Sequence, residues 1–195
     1  VDNKPGAGGT LAPMALKTAK PDGYLLSQIP LGVFRIPHMQ KAPQLDPLKD
    51  FTYIVNLTGY TFGLVVPASA PWKSLKEYVD DAKKNPGRLN YGSAGQGSTT
   101  HLAALMFLNA TGTDMLHVPY KSNAESTKAV LTDEVQVLFG SMPAVLGQIK
   151  GGAIRALAVG TTTRSPELPN VATMQEAGVP GYRASLWLGI SAPAK

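Results

Sequence analysis

Between Leu89 and Val159 the hydrophobic period of the chain changes repeatedly, and this rhythm limits the possible folds more than any other feature. Four runs short and apolar enough for strands are Leu89–Gly92, Met115–Val118, Val135–Phe139 and Ile154–Val159. Helical patterns over Thr99–Asn109, Ala124–Leu131 and Ala144–Lys150 lie between them. Such alternation with short connections predicts an α/β fold with a parallel sheet covered by helices on both faces. In an open sheet of this kind a ligand sits beyond the carboxyl ends of the strands. The loops at those ends are Ser93–Thr99, Pro119–Asn123 and Gly140–Pro143. They carry small and hydroxyl residues (Ser93, Ser98, Thr99, Ser122, Asn123, Ser141) and the amphipathic ring of Tyr120. Hydrogen-bonding groups converging from several loops favour a ligand cleft.

The first of these loops is the most specific. Tyr91-Gly92-Ser93-Ala94-Gly95-Gln96-Gly97-Ser98-Thr99-Thr100-His101-Leu102 reads as a strand end, a glycine turn and a helix start. Leu102, Leu105 and Met106, at i, i+3 and i+4, mark the expected apolar face of that helix. Gly95 and Gly97 let a ligand approach the backbone, and Ser98 or Thr99 can cap the helix. Free amides and the positive end of the helix dipole would then favour a carboxylate or phosphate. The plain alternative is a turn that joins a strand to a helix and binds nothing. A dinucleotide fingerprint fits poorly, because Thr100 stands where a third glycine is expected. The chain contains neither a nucleotide-triphosphate glycine–lysine run nor a Gly-x-Ser-x-Gly nucleophile elbow.

Outside this region, Thr10 to Thr18 reads as a short helix, broken by Pro21-Asp22-Gly23, and Tyr24 to Ile29 as a strand. Leu31 to Asp50 carries Pro37, Pro43 and Pro47 and is expected to be irregular with short helical pieces. Phe51–Leu57 and Phe62–Val66 are β-rich runs parted by Thr58-Gly59-Tyr60-Thr61. Ser74 opens a helix with Leu75, Tyr78, Val79 and Ala82 facing inward, and Asn85-Pro86-Gly87 stops it. Glu167 to Gly181 reads as loop and short helix, and Leu186 to Ser191 as the last strand.

Composition narrows the chemistry. A chain of 195 residues, 44% hydrophobic and 16% charged, buries a core in one domain or two small ones. Without cysteine there is no disulfide, thiol nucleophile or cysteine-ligated metal. The net charge of +5 is scattered, with no basic stripe interleaved with aromatics, so nucleic acid is not an expected partner. No apolar run reaches transmembrane length. The chain begins with Val1, and a segment is expected ahead of it.

The titratable residues do not cluster into a catalytic set. His38 is expected at the surface, His117 inside a buried strand, and His101 in a packing or capping role, ligand contact being its alternative. Asp80-Asp81 reads as a solvated helix face and Asp133-Glu134 as a turn. Glu125 reads as a cap, again with ligand contact as the alternative. No nucleophile–base pair or metal-ligand spacing is present, so no catalytic residue, metal or cofactor is expected. A binding protein is the first reading. A cleft enzyme, a hydrolase or transferase acting on a small anionic substrate, is the second.

Ordered motifs run the length of the chain: Lys4-Pro5-Gly6-Ala7-Gly8-Gly9, Pro21-Asp22-Gly23-Tyr24, Asp46-Pro47-x-x-Asp50-Phe51, and Asn85-Pro86-Gly87-x-Leu89-Asn90-Tyr91-Gly92-Ser93-Ala94-Gly95-x-Gly97-Ser98. They continue with His101-Leu102, His117-Val118-Pro119-Tyr120-Lys121, Ile154-Arg155-Ala156-Leu157-Ala158-Val159 and Glu176-Ala177-Gly178-x-Pro180-Gly181-Tyr182. In these the chain resembles the periplasmic solute receptors of tripartite tricarboxylate transporters, often called Bug proteins.

The resemblance implies two α/β lobes, each a sheet flanked by helices, joined by two hinge strands and closing on a ligand. Residues 1–65 and 182–195 would form the first lobe and 66–181 the second. Phe62–Val66 and Leu186–Ile190 would run side by side as the hinge. The family also implies a signal peptide, a periplasmic location, a monomer, and membrane subunits of a tripartite transporter as partners. Further segments before and after this chain are expected as well. The ligand would be an organic carboxylate (mono-, di- or tricarboxylate). Leu31, Gly32, Thr61 and Phe62 would hold it from one side. Ser93, Ala94, Gly95, Gly97, Ser98, Thr99, Tyr120, Asn123, Ser141 and Pro143 would hold it from the other. Many relatives carry Asp-Asn where this chain has Gly140-Ser141, which shifts the expectation from amino acids toward plain or aromatic carboxylates.

Overall fold

The computed structural model describes residues 1–4, 6–39 and 44–195, so Pro5 of the opening turn and Pro43 of the proline-rich stretch lie outside the described residues. A single strand, β2 (Phe51–Pro67, 17 residues), organises what is described. Its first part pairs antiparallel with β7 (Ser185–Pro193), from Phe51 opposite Pro193 to Thr61 opposite Ser185. Beyond β7 lies β1 (Ser27–Ile29). The second part of β2 lies between β5 (Val137–Ser141) and β6 (Ile154–Val159), antiparallel to both. Next to β5 come β3 (Asn90–Ser93) and then β4 (Leu116–Pro119), both parallel to it.

The sheet is therefore mixed where a parallel one was expected. Phe62 to Pro67 is buried throughout, and such an apolar run suits a central strand covered on both faces. Side chains along it alternate between two cores. Leu64 and Val66 join Tyr91, Phe139, Tyr78 and Phe107 on one face. Val65 joins Val130, Val145 and Ile154 on the other. A third, smaller cluster of Leu16, Ile29, Val33, Leu45 and Phe51 packs by the β1–β7 side.

Thr58 to Thr61 is not a turn: Thr58, Gly59, Tyr60 and Thr61 stand opposite Leu188, Trp187, Leu186 and Ser185. Threonine and tyrosine suit a pleated surface. At Gly59 a Cβ would come within 3.1 Å of the Leu186 carbonyl oxygen, so the glycine serves close strand approach. As a result Val55–Tyr60, and not Phe62–Val66, runs beside Leu186–Ile190. The change of partner falls between Thr61 and Phe62. The strand expected over Tyr24–Ile29 is limited to Ser27–Ile29, the residues that find β7, while Tyr24, Leu25 and Leu26 are exposed.

Six helices are described: α1 (Leu11–Lys17), α2 (Ile36–Met39), α3 (Leu75–Lys84), α4 (Thr99–Thr111), α5 (Asn123–Leu131) and α6 (Met142–Lys150). Helix α3 starts as its sequence predicts, the Glu77 amide donating to Ser74 Oγ and the Lys73 amide to the Glu77 carboxylate. Asp81 is no solvated bystander, since its carboxylate accepts from Trp72 Nε1, Asn85 Nδ2 and Arg88. Helix α4 turns a different face inward from the one expected. Ala103, Ala104 and Phe107 are buried, whereas Leu105 and Met106 are 41% and 48% exposed. The helix is apolar nearly all round, so periodicity alone could not choose its face. Glu167 to Gly181 forms turns, with Thr173 bridging to Val159.

Candidate functional site

The glycine loop after β3 holds itself together mainly through side chains. Ser98 caps α4, its Oγ accepting from the His101 amide at 3.3 Å. Thr100 Oγ1 accepts from the Ala94 amide at 3.0 Å, and Ser93 Oγ from the Gly95 amide at 3.2 Å. The Gly97 amide donates to His101 Nδ1 at 3.0 Å. The amides of Gly95 and Gly97, expected to hold a ligand, are thus committed to the loop itself. Among the described residues, the amides of Thr99 and Thr100, in the first turn of this 13-residue helix, have no acceptor.

Beneath the loop, His101 and His117 stack with ring centroids 4.0 Å apart, and Tyr91 stacks on His117 at 5.0 Å. His117 Nε2 lies 2.6 Å from Ser93 Oγ. Burial lowers the pKa of both imidazoles, and the His101 ring beside it helps hold that of His117 at about 4. Both rings are therefore neutral at pH 7, which His101 Nδ1 needs if it is to accept from Gly97. The pair shapes the loop and brings no positive charge to it. Ser93 is fully buried and turned toward this pair.

Two more helices start nearby. Ser122 caps α5 by accepting from the Glu125 amide, and the Glu125 carboxylate accepts from the Lys121 amide at 3.1 Å. This is a capping box, which gives Glu125 its structural role. Ser141 precedes α6 and makes no side-chain cap bond, and Pro143 in the first turn has no amide hydrogen to satisfy.

The starts of α4, α5 and α6 converge on a cavity of about 570 Å³. From α4 it is lined by Ala94, Ser98, Thr99 and Thr100, from α5 by Lys121, Ser122 and Asn123, and from α6 by Ser141, Pro143 and Ala144. Gly6, Gly9, Gln28, Pro30, Phe62 and Leu186 close the remaining wall. Among the described residues no carboxylate lines it, and Lys121 is the one charged residue on its wall. A second cavity of about 480 Å³ adjoins it, sharing Gly6, Ala94 and Lys121 and adding Gly95, Gln96, Tyr120 and Glu125. Helix-start dipoles and free amides in a wall without acids make an environment suited to an anion.

Of the residues expected at the site, the structure brings Phe62, Ala94, Ser98, Thr99, Asn123, Ser141 and Pro143 to the first cavity, and Gly95 and Tyr120 to the second. Tyr120 turns its hydroxyl to Glu134 at 2.9 Å, and burial together with that carboxylate pushes its pKa up to about 12. Among the described residues Gly32, Thr61, Ser93 and Gly97 are not on the walls of these two cavities, and the side chain of Leu31 lies outside what is described. Gly32 is buried in the 3-10 turn Leu31–Arg35, and Leu31 opens that turn.

Sequence reasoning missed Gly6, Gly9, Gln28 and Pro30, and it placed the Pro119–Asn123 loop at the cleft without singling out Lys121. A signal existed for the first two, because the Gly6-x-Gly8-Gly9 pattern marks backbone that needs positive φ, observed at +120° for Gly6 and +90° for Gly9.

The description "Tripartite tricarboxylate transporter family receptor" matches residues 1–195. A Cupriavidus necator protein, "UPF0065 protein in gbd 5'region", is 42% identical over 193 residues, covering 99% of this chain and 58% of the relative. The structure of R. palustris Rpa4515 with adipate superposes with a TM-score of 0.93 at 32% identity, over 98% of this chain and 64% of that one. MatC (Rpa3494) from Rhodopseudomonas palustris with bound malate superposes at 0.89 with 29% identity, over 97% and 65%. The mixed α/β fold is the one these binding proteins share, and the chain spans 58% of the length of the curated relative.

Proposed function

The chain belongs to the tripartite tricarboxylate transporter receptor family, and from that premise we propose that it forms the carboxylate-capturing part of a periplasmic solute-binding protein. The observation that carries this reading is the convergence of three helix starts on one cavity without acids, with the Thr99 and Thr100 amides unclaimed. A carboxylate there would accept charge-assisted hydrogen bonds from those amides and from the uncapped Ser141 hydroxyl. Plain dicarboxylates fit this wall better than amino acids, because nothing anionic lines the cavity to receive an ammonium group.

The reading includes two lobes: residues 1–65 with 182–195, and 66–181. The exchange of partners along β2 supports a division near Thr61 and Phe62. Gly6, Gly9, Gln28 and Pro30 would face the three helix starts across the cleft. A ligand touching both sides would stabilise a closed form, which membrane subunits of the transporter would recognise.

Calorimetry on the full-length protein against mono-, di- and tricarboxylates tests the assignment. Binding is expected for at least one carboxylate, accompanied by a smaller radius of gyration in solution scattering. Absence of binding across all three classes would overturn it.

A further inference from the structure

Lys121 occupies a particular place. It lines both cavities, as Gly6 and Ala94 do, and among the described residues it is the one charged residue on the wall of the larger. Among the described residues its ammonium makes no ion pair, and the nearest acid in sequence, Glu125, spends a carboxylate oxygen on the Lys121 amide. On the wall of the larger cavity the Thr99 and Thr100 amides offer dipoles and hydrogen bonds but no full charge. One anionic group can be satisfied there without Lys121. A second would find hydroxyl and amide groups on the described wall, at Ser122, Asn123, Ser141 and Gln28, but no full positive charge other than Lys121.

We propose that Lys121 is a specificity-determining residue that counts the ligand's charges, its ammonium pairing a second anionic group so that a dianion is favoured over a monoanion of equal length. This rests on the carboxylate-binding reading of the cavity. It also sets a limit on reach. Glu125 lines the adjoining cavity together with Lys121, and a second carboxylate that passed Lys121 into that cavity would meet a like charge. The ligand's second anion would therefore end at Lys121 and stay out of the adjoining cavity.

The test is isothermal titration of the full-length protein with adipate and with hexanoate, six-carbon probes differing by one carboxylate. The proteins compared are wild type, Lys121→Met and Lys121→Arg. Wild type is expected to bind adipate more tightly than hexanoate. Lys121→Met is expected to weaken adipate by roughly ten- to a hundredfold, the range of a charge-assisted hydrogen bond, and to leave hexanoate within about twofold. Lys121→Arg is expected to retain most of the preference, and the wild-type preference is expected to shrink as salt is raised. Equal losses for both probes, or none for either, in a Lys121→Met protein that melts like wild type would overturn the charge-counting role alone. Failure of wild type to bind either probe would sink the carboxylate reading and this role with it.

Discussion

The imidazoles of His101 and His117 lie face to face, 4.0 Å between centroids and 20° between planes, although they come from different elements, α4 and β4. Each is tied to the glycine loop by its own hydrogen bond, His101 to Gly97 and His117 to Ser93. Acid should act on the fold through this pair. Burial lowers the folded-state pKa of His117 from 6.5 to about 4, so the unfolded chain binds the proton more readily. The neutral ring's contribution to stability is complete above pH 6.5 and is lost as pH falls from there toward 4. The ring is partly open to water, which cuts the loss to roughly 1–2 kcal/mol. Urea denaturation of wild type and His117→Gln at several pH values between 4 and 7 checks this. The variant should show a flatter profile, and an equal slope in both would rule the ring out as the source.

Two serines at helix starts should behave oppositely. Ser98 Oγ caps α4, so Ser98→Ala should cost about 1 kcal/mol of stability. Ser141 makes no cap bond and lines the cavity, so Ser141→Ala should leave the urea midpoint nearly unchanged and weaken carboxylate binding several-fold. Paired denaturation and titration curves separate the two roles.

Gly63 should tolerate no side chain. A Cβ there would lie 2.7 Å from Met142 Cε and 2.8 Å from the Ala158 carbonyl oxygen. Met142 can move, but the β6 backbone cannot, so Gly63→Ala should cost about 2 kcal/mol and Gly63→Val more. Adding Met142→Ala should recover only part of that loss in a double-mutant cycle.

Tyr182 ties the return of the chain to α4, its hydroxyl donating to the Ala103 carbonyl at 2.9 Å inside the core. Burial raises the phenol's pKa, so it stays protonated and able to donate. Tyr182→Phe should cost about 1–2 kcal/mol by leaving that carbonyl without this donor, measurable as a lowered urea midpoint with an unchanged slope.

What could be read from the sequence depended on how local its cause was. The caps at Ser74 and Ser98 were legible because a serine bonds the amide three residues on. Thr58–Thr61 misled because glycine and threonine also mark turns, and only the distant partner Ser185–Leu188 makes them strand. The inward face of α4 was illegible because alanine and leucine line it on all sides, and the sheet decides which are covered. The three loop ends of the cleft followed from strand order, while Gln28 and Pro30 reach the same cavity through tertiary placement alone.

The pairing of β2 with β7 also sets a timetable for folding. Phe51 meets Pro193, and β1 touches the sheet only through β7, so this half of the molecule waits for nearly the last residues of the chain described here. Contacts so far apart in sequence carry a large loop-closure cost and form slowly. A ribosome-bound chain could assemble β3 to β6 with their helices while the first part of β2 still lacked its neighbour. The emerging polypeptide would then keep this half of the sheet unpaired until residues 185–193 had been made.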